Sequence, residues 1–320
     1  MRFRGIVAVL IAAFALVLGS GVAQASVPIQ TVVSFDPAAG EFPEGVAVDV
    51  RDTAYVSLIN PVAEIRKISP GGTQSVLAHF DVPGIGPLGL AVDASSKRLY
   101  VAMSTFDPAT RGVYLVRPDG SSSRLRGTGR ILFPNGLALD PRGDLYVTDS
   151  IGGSVWKIPR GGSAHLWVHS PLLTGTGAIG LGFPIGANGI AVRKHAVMVT
   201  NTEKAKVVRI PVRHDGSAGT PTVIAKDPAL FGADGLALDV FGNAYVAVNS
   251  QNTLVRLGRG GSLTTLATAA DGLDNPASLA WGTSKGDRKS LFITNFSAFS
   301  SSPKPGLLKA AIGVPGQPHT

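Results

Sequence analysis

The chain has 320 residues, no cysteine, 40 glycines, 22 prolines, 16% charged residues and a net charge of +8. Without cysteine there is no disulfide framework, thiolate catalysis, thiolate zinc site or lipidated cysteine. Abundant glycine and proline with so little charge suit many tight turns and argue against long exposed helices.

Arg2 and Arg4 give residues 1–25 a basic start, an apolar run follows from Gly5 to Leu18, and Ala23-Gln24-Ala25 is a small-x-small signature. This order is that of a secretory signal peptide cut after Ala25. It predicts a secreted or periplasmic protein whose folded part is 26–320, with no stable membrane insertion after cleavage. An uncleaved anchor is the alternative, but the run falls short of the ~20 apolar residues a spanning helix needs. The two arginines are not adjacent, so a general secretion signal is favoured over a twin-arginine one.

From residue 43 onward one phrase recurs six times: PEGVAVD, PLGLAVD, PNGLALD, ANGIAV, ADGLALD and PASLAW. The residue ahead of the glycine slot is Glu44, Leu88, Asn135, Asn188, Asp234 and Ala277, at spacings of 44, 47, 53, 46 and 43. Periods near 45 with several short strands per unit indicate a β-propeller. The third unit shows the pattern: Asn135 to Asp140, Leu145 to Thr148, Ser154 to Ile158 and His165 to Val168 read as successive strands, separated by Gly/Asp/Pro turns. Ile29 to Phe35 looks like a strand with no unit of its own. The last unit runs out after three strands, Ser278 to Trp281, Leu291 to Asn295 and Leu307 to Val314. Pairing the two ends removes two exposed edges. The expected fold is therefore all-β, a six-bladed β-propeller of four-stranded blades closed by the N-terminal strand.

If the ring closes, six equivalent strand starts point at one axis, and four of them bring oxygen: Glu44, Asn135, Asn188 and Asp234. Two carboxylates and two carboxamides suit a hard divalent cation such as calcium. Asn-Gly and Asp-Gly are also good turn formers, so local turn chemistry is the competing explanation. Glu-Gly is not a favoured turn pair, yet Glu44 takes the same slot. In an antiparallel hairpin the end of the second strand lies beside the start of the first, which makes Asp149 and Asn201 candidates to orient Asn135 and Asn188.

The basic residues recur near each third strand, as at Arg66, Arg117, Lys157, Arg209, Arg256 and Lys309. Such scatter predicts a solvated rim on the opposite face, able to touch anionic surfaces, and no nucleic-acid site. Gly175 to Gly180 fits G-x-G-x-x-G, but Pro184 and Gly186 follow where a helix is required, so no dinucleotide site is expected. The 53-residue spacing marks an insertion at about 169–186, either a lid or a structural plug.

The order Glu, apolar, Asn, Asn, Asp, small on six blades resembles the senescence-marker-protein and gluconolactonase family, and is similar in layout to the paraoxonase-like lactonases. The resemblance covers about Ser26 to Val314. It implies a calcium or other divalent ion at the top of the central channel, with Glu44, Asn188 and Asp234 matching the family's metal ligands. Asn135 matches an asparagine that contacts substrate or metal, although some members carry Asn-Asp-Gly where this chain has Asn135-Gly136. The implied activity is hydrolysis of lactones or esters, with Asp234 as ligand and base together. His169, at the end of a fourth strand, is a second candidate base. Leu88, Ala277 and several phenylalanines near that face make an apolar lactone or ester the expected small-molecule substrate. The alternatives are a non-catalytic propeller binding or scaffold protein with a structural metal, and a lyase or strictosidine-synthase-like enzyme on the same fold.

Overall fold

A computed structural model describes residues 26–93 and 98–317. The signal-like segment, residues 1–25, lies outside the described residues. Blade 1 is β2 (Pro43–Val48), β3 (Ala54–Leu58), β4 (Glu64–Ile68) and β5 (Gln74–His79). Blade 2 is β6 (Gly86–Val92), β7 (Leu99–Ser104), β8 (Gly112–Val116) and β9 (Ser122–Arg124). Blade 3 is β10 (Pro134–Leu139), β11 (Leu145–Asp149), β12 (Ser154–Ile158) and β13 (His165–His169). Blade 4 is β14 (Ala187–Arg193), β15 (Ala196–Asn201), β16 (Lys206–Pro211) and β17 (Thr222–Lys226). Blade 5 is β18 (Ala233–Leu238), β19 (Ala244–Val248), β20 (Thr253–Leu257) and β21 (Leu263–Ala267). Blade 6 is β22 (Pro276–Trp281), β23 (Ser290–Asn295), β24 (Gly306–Ala311) and, from the other end of the chain, β1 (Ile29–Ser34).

The six sheets form the propeller that the repeats predict, and β1 pairs antiparallel with β24 to close it. The closure is reinforced on the far face. There the buried Asp52 carboxylate accepts hydrogen bonds from the Thr283 and Ser284 amides and the Thr283 hydroxyl, tying blade 1 to blade 6. These bonds outweigh burial and hold Asp52 below the usual carboxylate range.

The core sits between blades rather than inside any one. Val48, Val56 and Ile68 of blade 1 pack on Ala280, Phe292 and Leu307 of blade 6, and similar clusters fill the other joints. Each such buried aliphatic contributes about 1.5–3 kcal/mol relative to exposure. Asp49, Asp140 and Asp239 close the β2–β3, β10–β11 and β18–β19 turns, each carboxylate accepting from backbone amides a few residues on. These are the turn roles their positions suggest.

The last strand differs from expectation. It ends at Ala311, not Val314, and the following residues cross the far end of the central channel. The Gln317 amide donates to the Leu238 carbonyl at 2.9 Å and its side-chain amide to the Val192 carbonyl at 2.8 Å. Gly316 lies against the Trp281 ring so closely that a Cβ there would overlap it. The C-terminal segment is thus a floor to the channel.

Candidate metal centre at the head of the central channel

The recurring phrase has a structural cause. In every blade the register of the first hairpin shifts just across the phrase, between Pro43 and Val46, Pro134 and Leu137, Ala187 and Ile190, Ala233 and Leu236. Such a bulge re-aims a side chain. The glycine is forced by crowding between neighbouring inner strands. A Cβ at Gly45, Gly89, Gly136, Gly189 or Gly235 would overlap the carbonyl oxygen of the ring residue in the next blade.

Hydroxyls on the second strands stitch the same joints. Thr148 accepts from the Gly136 amide at 2.7 Å and donates to the Asn188 carbonyl at 2.6 Å. Ser57 does the same between Gly45 and the Leu88 carbonyl, and Thr294 between the Ser278 amide and the Glu44 carbonyl. Thr200 donates to the Asp234 carbonyl at 2.8 Å.

Glu44, Asn135, Asn188 and Asp234 all line the channel, a cavity of about 190 Å³ running down to Gln317. Asn135 and Asn188 are buried. Their carboxamides donate to the Ser150 hydroxyl at 3.2 Å and the Thr202 hydroxyl at 3.1 Å. Ser150 and Thr202 pass the bond on, to the Ala187 and Ala233 carbonyls. With its N–H so engaged, each carboxamide has its oxygen free for another partner.

The two carboxyls are electrostatically strained. Burial pushes Glu44 up to about 8. Asp234 is raised well above its ordinary value, first by burial and then by the Glu44 charge, with a hydrogen bond from Asn188 pulling the other way. Among the described residues no lysine, arginine or histidine lines the channel. Buried charge of this kind is retained where it is paired or coordinates a metal. Among the described residues no group of three or more His, Cys, Asp or Glu side chains comes together, so carboxamide oxygens must complete any donor set. Two carboxylates and two carboxamides without a cationic neighbour fit a hard divalent ion.

Asp149 and Asn201 do not orient the carboxamides. Asp149 pairs in register with Pro134 and Asn201 with Ala187, as the hairpin predicts, but side chains alternate faces along a strand. Thr148 and Ser150 point inward; Asp149 points away and accepts from the amides of Leu132, Phe133 and Gly152. Asn201 likewise donates to the carbonyls of Leu172 and Thr174 and accepts from the Lys204 amide. Both hold loops. His169 also fails to join the cluster. It is exposed at the end of β13, the outermost strand of its blade, where it pairs with Ser154.

The insertion spans the gap between β13 and β14. Leu173 is fully buried, and the Ala187 amide donates to its carbonyl. The carboxylate of Glu203 accepts from the amides of Thr176, Gly177 and Ile179. Three amides of the G-x-G-x-x-G stretch are therefore occupied by the protein's own carboxylate. The insertion also brings Phe183 and Ile185 onto Leu88 and Phe133, with Ile59, Ile85 and Ile151 around them. Phe106, more than half exposed, stacks edge-on to Phe183 at 5.3 Å. Across blade 1 a second group, Phe42, Phe296 and Phe299, packs with centroids 6.4 and 5.5 Å apart. Glu44 thus stands between two apolar ring positions, Leu88 and Ala277, with aromatic groups in the loops beyond them.

No protein-family model and no curated protein sequence matches the chain. Solved structures do. A candidate gluconolactonase is similar with a TM-score of 0.69 at 16% identity, over 92% of this chain and 96% of that one. A gluconolactonase from Xanthomonas campestris gives 0.67 at 18%, over 92% and 91%. The fold is that of the gluconolactonase-like propellers. Virginiamycin B lyase from Staphylococcus aureus gives 0.55 at 13%, over 88% and 98%, so gluconolactonase-like propellers share their architecture with an enzyme of different chemistry.

Proposed function

We propose that the protein is an exported hydrolase of apolar lactones or esters that works with a divalent cation, calcium by donor type, held by Glu44, Asn135, Asn188 and Asp234. One observation carries the reading: two raised, desolvated carboxyls and two buried carboxamides line the head of a channel that has no basic side chain among the described residues. The gluconolactonase neighbours support hydrolysis of a cyclic ester, and the basic, apolar and small-residue succession of residues 2–25 supports export.

When bound, the cation supplies polarisation of the ester carbonyl and lets both carboxyls ionise. The chain's own residues do the rest. The Ser150 and Thr202 hydroxyls fix the carboxamides of Asn135 and Asn188, so their oxygens need no reorganisation during reaction. Asp234 is the proton acceptor for the attacking water and returns the proton to the leaving alkoxide. The hydrogen bond from Asn188 steadies its carboxylate. Gln317 and Trp281 line the far end of the channel, which leaves the head as the route for the attacking water.

The apolar side chains beside Leu88 and Ala277 select the substrate. Phe106 and Leu181 are exposed and Phe183 is half-buried, an arrangement that suits an alkyl or aryl group better than a polyhydroxylated ring. The test is a panel of glucono-δ-lactone, an alkyl δ-lactone and phenyl acetate, with calcium or with chelator. The reading predicts calcium-dependent turnover, at least about tenfold better for the apolar substrates, and its loss in Asp234→Asn. No turnover of any ester in a calcium-loaded protein would leave a structural cation in a binding protein.

A further inference from the structure

On the far face, blades 3 and 4 are sealed and blades 4 and 5 are not. The turn between β16 and β17 is long, residues 212–221, and folds back through a Val212–Ala218 bridge. It covers the joint with blade 3, where Trp167 donates to the Gly216 carbonyl at 2.9 Å. Its counterpart between β20 and β21 is only residues 258–262. It stops short, and a groove of about 490 Å³ stays open between blades 4 and 5.

The groove is chemically one-sided. Arg193, Lys194, His195, Arg209 and Arg259 line it, and among the described residues no carboxylate does. None of the five forms a salt bridge among the described residues. Other basic side chains do pair with carboxylates, as Lys157 with Asp144 at 2.9 Å and Lys309 with Asp287 at 3.0 Å. Part of the rim is fixed. Arg193 donates to the Val240 carbonyl at 3.0 Å and lies so flat on Gly242 that any Cβ there would overlap its guanidinium. The floor is apolar, made by Met198, Ile224 and Leu257.

We infer that this groove is a second ligand site, which takes an organic oxyanion of charge about −2, of the phosphate-monoester type, with an apolar body. Four permanent cations without counter-charges call for a multiply charged partner. Guanidinium groups match tetrahedral oxyanions through paired hydrogen bonds. The apolar floor calls for a body as well as a head. The site faces away from the channel head and is independent of the reaction proposed there.

Isothermal titration of the protein with phenyl phosphate, inorganic phosphate and phenol tests this. The expected result is saturable binding of phenyl phosphate, weaker binding of inorganic phosphate and none of phenol, with affinity falling as salt rises. Lys194→Gln/Arg259→Gln changes two exposed side chains. It should weaken phenyl phosphate at least about tenfold, the scale of one charged hydrogen bond, with the thermal midpoint unmoved. Arg209→Gln should weaken it by a similar factor. No saturable heat with the parent protein, or equal affinity in the double variant, would overturn the site. Inorganic phosphate binding as tightly as phenyl phosphate would overturn the role of the floor.

Discussion

At the residue scale, the ring of oxygens works through side chains that hold it from behind. Thr202 accepts from Asn188 and donates to the Ala233 carbonyl. Thr202→Val keeps the shape and leaves both groups buried without a partner, so it should cost about 1–3 kcal/mol by denaturant unfolding and weaken cation binding. Gly189→Ala places a methyl against the Asp234 carbonyl and should cost about 1–3 kcal/mol through overpacking. The four channel oxygens were legible in the sequence because each opens the same phrase. Ser150 and Thr202 were not, although the alternation of Thr148-Asp149-Ser150 and Thr200-Asn201-Thr202 carries the signal. The residue beside an asparagine in register points to the other face, and its neighbours one position away point to the same one.

At the element scale, one carboxylate reinforces the ring closure and another anchors the insertion. Asp52 is held below its ordinary value, so its contribution is present above the unfolded value near 3.8 and is lost as pH falls through the depressed folded one. Asp52→Asn should therefore lower stability at neutral pH by about 1–3 kcal/mol and flatten the acid limb of the stability curve below about pH 4, read by urea unfolding across pH. Glu203 is likewise held low by the amides of the insertion, which outweigh its burial. Glu203→Gln replaces an acceptor-only carboxylate with an amide that must also find acceptors. Faster hydrogen exchange at 175–180, with exchange in β15 and β16 unchanged, is the expected result. The sequence marked the insertion by its spacing, but not its anchors, because Glu203 lies beyond the next strand pair.

At the scale of the whole molecule, the propeller was legible because six near-equal phrases report one geometry. The borrowed strand followed from an orphan at one end and a deficit at the other. The floor of the channel was hidden, because Pro315 to Gln317 carries no periodic pattern and is placed by the carbonyls of Arg288, Leu238 and Val192 and by the Trp281 ring. His169 was misplaced for a related reason: the end of a fourth strand faces the right end of the ring but the wrong radius. A chain that lacks residues up to Phe35 should lose the cooperative transition of the parent and aggregate, since β24 then becomes an open edge.

The most direct test of a cation held by the channel oxygens is the thermal midpoint against calcium concentration, after chelation, for the parent and Asp234→Asn side by side. A ligand that binds only the folded state raises the midpoint with concentration. The account predicts a saturable rise in the parent and none in the variant. It also predicts that in chelator the variant melts no lower than the parent, because it no longer buries a second carboxyl beside Glu44. A parent midpoint that ignores calcium and other divalent ions would contradict the metal centre.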